Sequence, residues 1–172
     1  MVRVVSVLTA LLCASVSHVW AASFSTREIQ VLGRAVAFIV PPLPAGATIA
    51  IAYVSGNAAS RQDAEAIAAA MGEGLRAGTA TLRSRVIDTN ALAAGGFAVV
   101  IAAAGADGPQ IGAAAKAARA LCVTRNVDAV RAGHCAMAIT TEPRVEILIN
   151  HAVAAAAGID FAAAFRMMVQ EI

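Results

Sequence analysis

Four side chains in the second half of the sequence have the types that could do chemistry: Cys122, His134, Cys135 and His151. Two thiols and two imidazoles admit three kinds of role. Zinc-type sites need three or four ligands at characteristic spacings, and here only His134 and Cys135 are neighbours. No metal is therefore expected. Thiol-exchange enzymes use a close Cys-x-x-Cys pair beside a helix start, and Cys122 and Cys135 lie much farther apart. What remains is a structural disulfide. Both cysteines fall in predicted strands flanking one short turn, so a Cys122–Cys135 bridge is expected in place of two buried thiols, provided the chain leaves the reducing cytosol. Such a bridge would contribute about 3 kcal/mol on the chain-entropy account. The acidic residues are scattered about one per element. No Ser-His-Asp set or close carboxylate pair emerges, so no catalytic residue is assigned, no cofactor is expected, and the chain does not read as an enzyme.

The first residues supply the missing condition. Arg3 gives a short positive region, and residues 4–16 form a 13-residue apolar run. That run is too short for a bilayer core roughly 30 Å thick. Residues 17–21 are a small-residue exit, with Val19 and Ala21 at the −3 and −1 positions of a cleavage site. Residues 1–21 therefore read as a secretory signal peptide cleaved near Ala21. An uncleaved anchor is disfavoured by the polar breaks at Ser6, Thr9 and Ser15, and a lipoprotein reading of Cys13 by the preceding Leu12. The remainder, residues 22–172, fits one domain. Taking Arg3 from the 13 basic residues leaves one more than the 11 acidic ones. No basic stripe tracks phosphates, so nucleic acid is not an expected partner.

The elements that must carry the cysteines follow from periodicity. Residues 24–40 read as a helix, with Ile29, Leu32, Val36 and Ile39 on one face, Ser25 and Glu28 as a capping box, and Pro41-Pro42 as its stop. Residues 47–54 and 97–104 are apolar almost throughout, as in parallel strands covered on both faces. A turn at residues 55–57 leads to a helix over 61–76, with Ser60 as N-cap and Asp63 as its partner. Gly56, Asn57 and Ser60, between a strand and a helix start, are the candidate ligand cradle, as against a purely structural turn. Residues 79–88 alternate as a half-exposed strand near a sheet edge, with Arg83 and Arg85 in solvent. A short turn at 89–94 ends at Gly95-Gly96. The stretch GADGPQIGAAAK fails as a phosphate loop, because three alanines separate Gly112 from Lys116. Residues 110–119 are then another covering helix.

Residues 121–125 and 134–140 read as strands joined by a helical turn that opens at Asn126 or Asp128 and ends at Gly133. That connection is shorter than an ordinary parallel crossover, so the last strands are expected to add antiparallel pairs. A turn at residues 141–143 makes a hairpin with 144–149. A helix follows from Asn150, is broken by Gly158, and gives way to a final helix capped by Asp160 and reaching about residue 170. The fold class is α/β: a mostly parallel, Rossmann-like sheet flanked by helices, with a C-terminal antiparallel hairpin added.

The order of these elements, together with ALCVTRNVDAVRAGHCAMAI and RVEILINHAVAAAAGIDFAAAFRMM, resembles the YfiR family of periplasmic proteins. Members carry a late L-T-V-x-D … G-G-x-I segment, a hairpin into E-I-N, and a helix with A-G-L. Residues 121–124, 133–139, 147–150 and 157–159 occupy those places, so Gly133, Asn150 and Gly158 are the motif positions. Val40-Pro41 stands where the family usually has Trp-Pro. The resemblance implies a non-enzymatic periplasmic regulator. It would bind the periplasmic sensor region of an inner-membrane diguanylate cyclase, hold it inactive, and so lower cyclic di-GMP and biofilm formation. It also implies a homodimer. The alternative is a periplasmic small-molecule-binding module, accessory to a transporter, that uses the turn at Gly56 to Ser60 and the loop at 105–109.

Overall fold

A computed structural model describes residues 23–172, so the expected signal peptide lies outside the described residues. The first helix, α1 (Thr26–Val36), starts where its capping box predicts. The Ser25 hydroxyl accepts from the Glu28 amide at 3.2 Å, and the Glu28 carboxylate accepts from the Ser25 amide at 2.7 Å. Ile29, Leu32 and Val36 are its buried stripe. The helix stops four residues earlier than expected. Its last predicted residues form a short strand, β1 (Ile39–Val40), instead.

Strand β2 (Thr48–Tyr53) leads into α2 (Ala58–Met71). The cap of α2 is Asn57 rather than Ser60, because the Asn57 side chain already takes the first free amides. Gly72 and Gly74, both at positive φ, then turn the chain back. Leu75–Ala77, which takes in the last two residues of the expected helix over 61–76, is strand β3, paired antiparallel with β4 (Ala80–Asp88). A 3-10 turn (Thr89–Ala94) ends at Gly95 and precedes β5 (Val99–Ala102). Then come α3 (Pro109–Ala118), β6 (Leu121–Thr124), α4 (Val127–Arg131), β7 (Met137–Thr140), β8 (Glu146–Ile149) and α5 (His151–Ala156). The expected final helix is absent as such. Its residues divide into β9 (Asp160–Phe161), α6 (Ala163–Arg166) and β10 (Gln170–Glu171). Tertiary pairing overrides the helical spacing there: β9 joins β1 in a two-stranded ribbon, and β10 joins β8.

The main sheet has the order β10-β8-β7-β6-β5-β2-β4-β3. β2 is flanked by β4 and β5, and all three run parallel, as do β5 with β6 and β6 with β7. The β6–β7 pair corrects the antiparallel expectation. β7 starts at Met137 rather than at 134, so the crossover spans residues 125–136 and reaches the length a parallel connection needs. β7 and β8 form the expected antiparallel hairpin, with Ala138 opposite Leu148.

The pleat divides the core in two. Ile49 and Ile51 of β2 face one layer, with α1, α2, Phe161 and Phe165. Ala50 and Ala52 face the other, with Leu92, Ile111, Val130 and both cysteines. Isoleucines on one face and alanines on the other are what a strand covered on both faces requires. Among the described residues no helix is long and apolar enough to cross a membrane.

Candidate functional site

Helices α2 and α3 follow the neighbouring strands β2 and β5, yet they pack on opposite faces of the sheet. Where two crossovers diverge like this, their loops separate and leave a crevice at the carboxyl ends of the strands. A cleft of about 450 Å³ opens beside this point, over the ends of β5 and β6. That volume is within the range of small-molecule sites, roughly 300–1,000 Å³. Its walls come from α2, from the β5–α3 and β6–α4 loops, and from Phe24 ahead of α1.

Four hydrogen-bonding groups shape it. From α2, the Asp63 carboxylate accepts from the Ala104 amide at 2.7 Å and so ties the β5–α3 loop to the helix. Asn126 has two roles. Its carbonyl oxygen caps α4 by accepting from Asp128 and Ala129, and its amide donates to Asp107 at 2.6 Å. The Thr124 hydroxyl, only 2% exposed, accepts from the Asn126 amide at 3.0 Å. Arg125 donates to Glu28 at 3.0 Å, joining the end of β6 to the first turn of α1. The Glu28 side chain is 1% exposed and that of Arg125 30%. A carboxylate buried this far stays charged at low cost only with a partner of this kind. Asp63 and Asp107 both line the cleft, and among the described residues neither has a cationic group within 4.0 Å.

The sequence-predicted cradle lies outside the cleft lining. Gly56 sits at φ +72 in the turn before α2, with open space around it. The Asn57 side chain accepts from the Ala59 and Ser60 amides, both at 3.1 Å. Ser60 is buried, and its hydroxyl accepts from the Val54 amide at 3.0 Å. These three residues build the β2–α2 turn. The second predicted loop does reach the cleft, through Gly105 and Asp107.

The Cys122 and Cys135 sulfurs lie at disulfide distance, with Cα atoms 4.9 Å apart, and both residues are buried. They tie β6 to the segment entering β7. The three motif positions are structural as well. Gly133 ends α4 at φ +80 and Gly158 ends α5 at φ +71. Asn150 caps α5 through Val153 and donates to the Val130 carbonyl at 3.1 Å, joining α5 to α4. His134 and His151 lie on separate elements, and no three His, Cys, Asp or Glu side chains among the described residues come together to hold a metal.

A different surface feature stands at one edge of the sheet. β10 is the outermost strand beside β8. Just before it, Met167 is 84% exposed and Met168 68%, and Ile172 after it is also exposed. No family model matches the chain, and no curated protein matches it.

Proposed function

We propose that the chain is a non-catalytic periplasmic regulator. Exported and freed of its signal peptide near Ala21, it docks on the periplasmic sensor region of an inner-membrane diguanylate cyclase and holds it inactive. Cyclic di-GMP and biofilm formation fall as a result. The resemblance of the stretch from Leu121 onward to the YfiR family suggests the partner.

The observation that carries a docking role is the methionine pair at the sheet edge. Met167 and Met168 leave most of their surface in water beside an open edge strand. Thioether side chains adapt to an opposing surface, and such residues recur at protein-binding faces. Repression further requires tighter binding to the inactive cyclase than to the active one, since equal affinity for both shifts nothing. Deleting the gene should raise cellular cyclic di-GMP. Replacing both Met167 and Met168 with aspartate should do the same while leaving the unfolding midpoint of the purified protein unchanged. An unaltered cyclic di-GMP level in the deletion strain refutes this reading.

The cleft favours a second reading, a periplasmic small-molecule-binding module accessory to a transporter. Periplasmic solutes should then raise the melting temperature, and Ala104→Trp, which fills the cleft, should abolish the shift.

A further inference from the structure

We propose that the open face of β3 and β4 is a docking surface for anionic phospholipid headgroups. The inference goes beyond the regulatory reading and does not depend on the partner named there.

Register builds the face. Arg76 pairs with Thr81 across the β3–β4 ladder. Side chains two apart on a strand share a face, so Thr81, Arg83 and Arg85 lie on the same side as Arg76. All four residues are exposed. The pair facing the other way, Leu75 and Leu82, is buried in the layer with α1 and α2. Arg83 and Arg85 stand roughly 7 Å apart along β4, and Arg76 lies diagonally across from Arg83 at roughly 7–8 Å. The sequence shows two of these arginines in solvent but assigns Arg76 to a helix. The β3–β4 pairing is what brings the third beside them.

Nothing nearby answers this charge. None of the three arginines makes an ion pair among the described residues. The segments that border the face, residues 41–48, 78–81 and 89–98, contain no acidic residue. Glu73, in the turn before β3, and Asp88, whose carboxylate caps the 3-10 turn through Asn90, flank the strands without reaching a guanidinium.

Chemistry selects the occupant. A guanidinium grips two phosphate oxygens at once. A protein interface carries apolar side chains at its core, whereas the large exposed apolar residues, Val40, Val145, Met167, Met168 and Ile172, all lie outside β3 and β4. Positive charge spread over a strand surface without an apolar anchor suits a layer of phosphate groups better than a socket on an acidic protein. Position agrees. β3 and β10 are the two ends of the eight-stranded sheet, roughly 33 Å apart measured across the strands. Lipid contact at the arginine end therefore leaves Met167 and Met168 clear of the bilayer.

The test is co-sedimentation of the exported protein, at low ionic strength, with phosphatidylcholine vesicles holding about a third phosphatidylglycerol, against pure phosphatidylcholine. The protein should bind the first and not the second, and added salt should release it. Arg76→Gln, Arg83→Gln and Arg85→Gln should each weaken binding about fivefold, and the three together about a hundredfold, with the urea midpoint unchanged. Arg144→Gln removes the same charge from the β7–β8 turn and should weaken it less than about twofold. The proposal is overturned if both vesicles bind equally, if the triple variant binds like the parent, or if Arg144→Gln loses as much as the others, which would make net charge the cause. No binding to the phosphatidylglycerol vesicles also overturns it and leaves an acidic protein surface as the occupant. The regulatory reading survives each of these results, because cyclic di-GMP in the deletion strain decides it.

Discussion

Replacing Glu28 with alanine should lower the stability of the domain by about 2.5–3 kcal/mol, and the figure can be built from two bonds. One Glu28 oxygen closes the capping box on the Ser25 amide at 2.7 Å. Losing a helix cap costs about 1 kcal/mol. The other oxygen accepts from Arg125, 97 positions away in the chain, at 3.0 Å. A hydrogen bond to a charged group contributes about 1.5–3 kcal/mol. Arg125 keeps part of its surface in water and rehydrates when the carboxylate is removed, so the lower end of that range applies. The total is a large share of the roughly 5–15 kcal/mol that holds a domain together. Urea unfolding, followed by circular dichroism, should show a lower midpoint with an unchanged slope. Glu28→Gln, which keeps an acceptor but loses the charge, should fall between the two. Because the carboxylate is buried, 1 M salt should leave most of the effect in place. A loss under about 1 kcal/mol for Glu28→Ala, or a glutamine variant as stable as the parent, would refute the reasoning that a buried ion pair fastens α1 to β6.

Three further outcomes follow from the same structure. Replacing Cys122 and Cys135 together with alanine should cost about 3 kcal/mol by releasing a closed loop, and an unchanged urea midpoint would show that the bridge braces nothing. A Cβ on Gly112 would collide with the backbone carbonyl of His134. Gly112→Ala should therefore cost about 1–3 kcal/mol as α3 is pushed off the β7 approach, and a neutral effect in thermal unfolding would contradict that close fit. The hydrogen bond from Arg166 holds the Glu171 carboxyl below its ordinary pKa. A pKa lower in the folded state stabilises above the unfolded value and stops doing so as pH falls through the folded one. Amide-exchange protection at Ile172, which donates to the Ile149 carbonyl, should therefore drop as pH falls through the acidic range, and constant protection would count against the link.

The middle of the sheet was legible because its environment is uniform. β2, β5 and β6 have covering layers on both faces, so their sequences are apolar at nearly every position, whereas a strand with one wet face alternates. The Ser25–Glu28 box was legible because both partners are local. The same rule misled at α2. Ser60 and Asp63 have capping-box spacing, but Ser60 is spent on Val54 and Asp63 on Ala104. Both bonds depend on where the strands lie, which spacing cannot report. β3 was hidden because Leu75 continues the apolar spacing of Ile67 and Met71 in α2. Gly72 and Gly74 were the available signal that the helix had ended. The cleft was half legible. Its loop at 105–109 could be placed at a strand end, but the meeting of Asp63, Asp107 and Thr124 comes from three separate elements. Arg125 carried no signal at all toward Glu28, since nothing in its neighbourhood names a residue in the first helix.

The small β1–β9 ribbon has a consequence for the order in which the chain can finish folding. Phe38 stacks on Phe165 with ring centres 5.0 Å apart, and the Ala162 amide donates to the Phe38 carbonyl at 2.9 Å. The exit of the first helix is thus completed by a segment far along the chain. Until that segment docks, Phe38 lacks its stacking partner, and non-local closure of this kind is slow. A chain built this way closes the exit of its first helix only after two segments far apart in sequence have met.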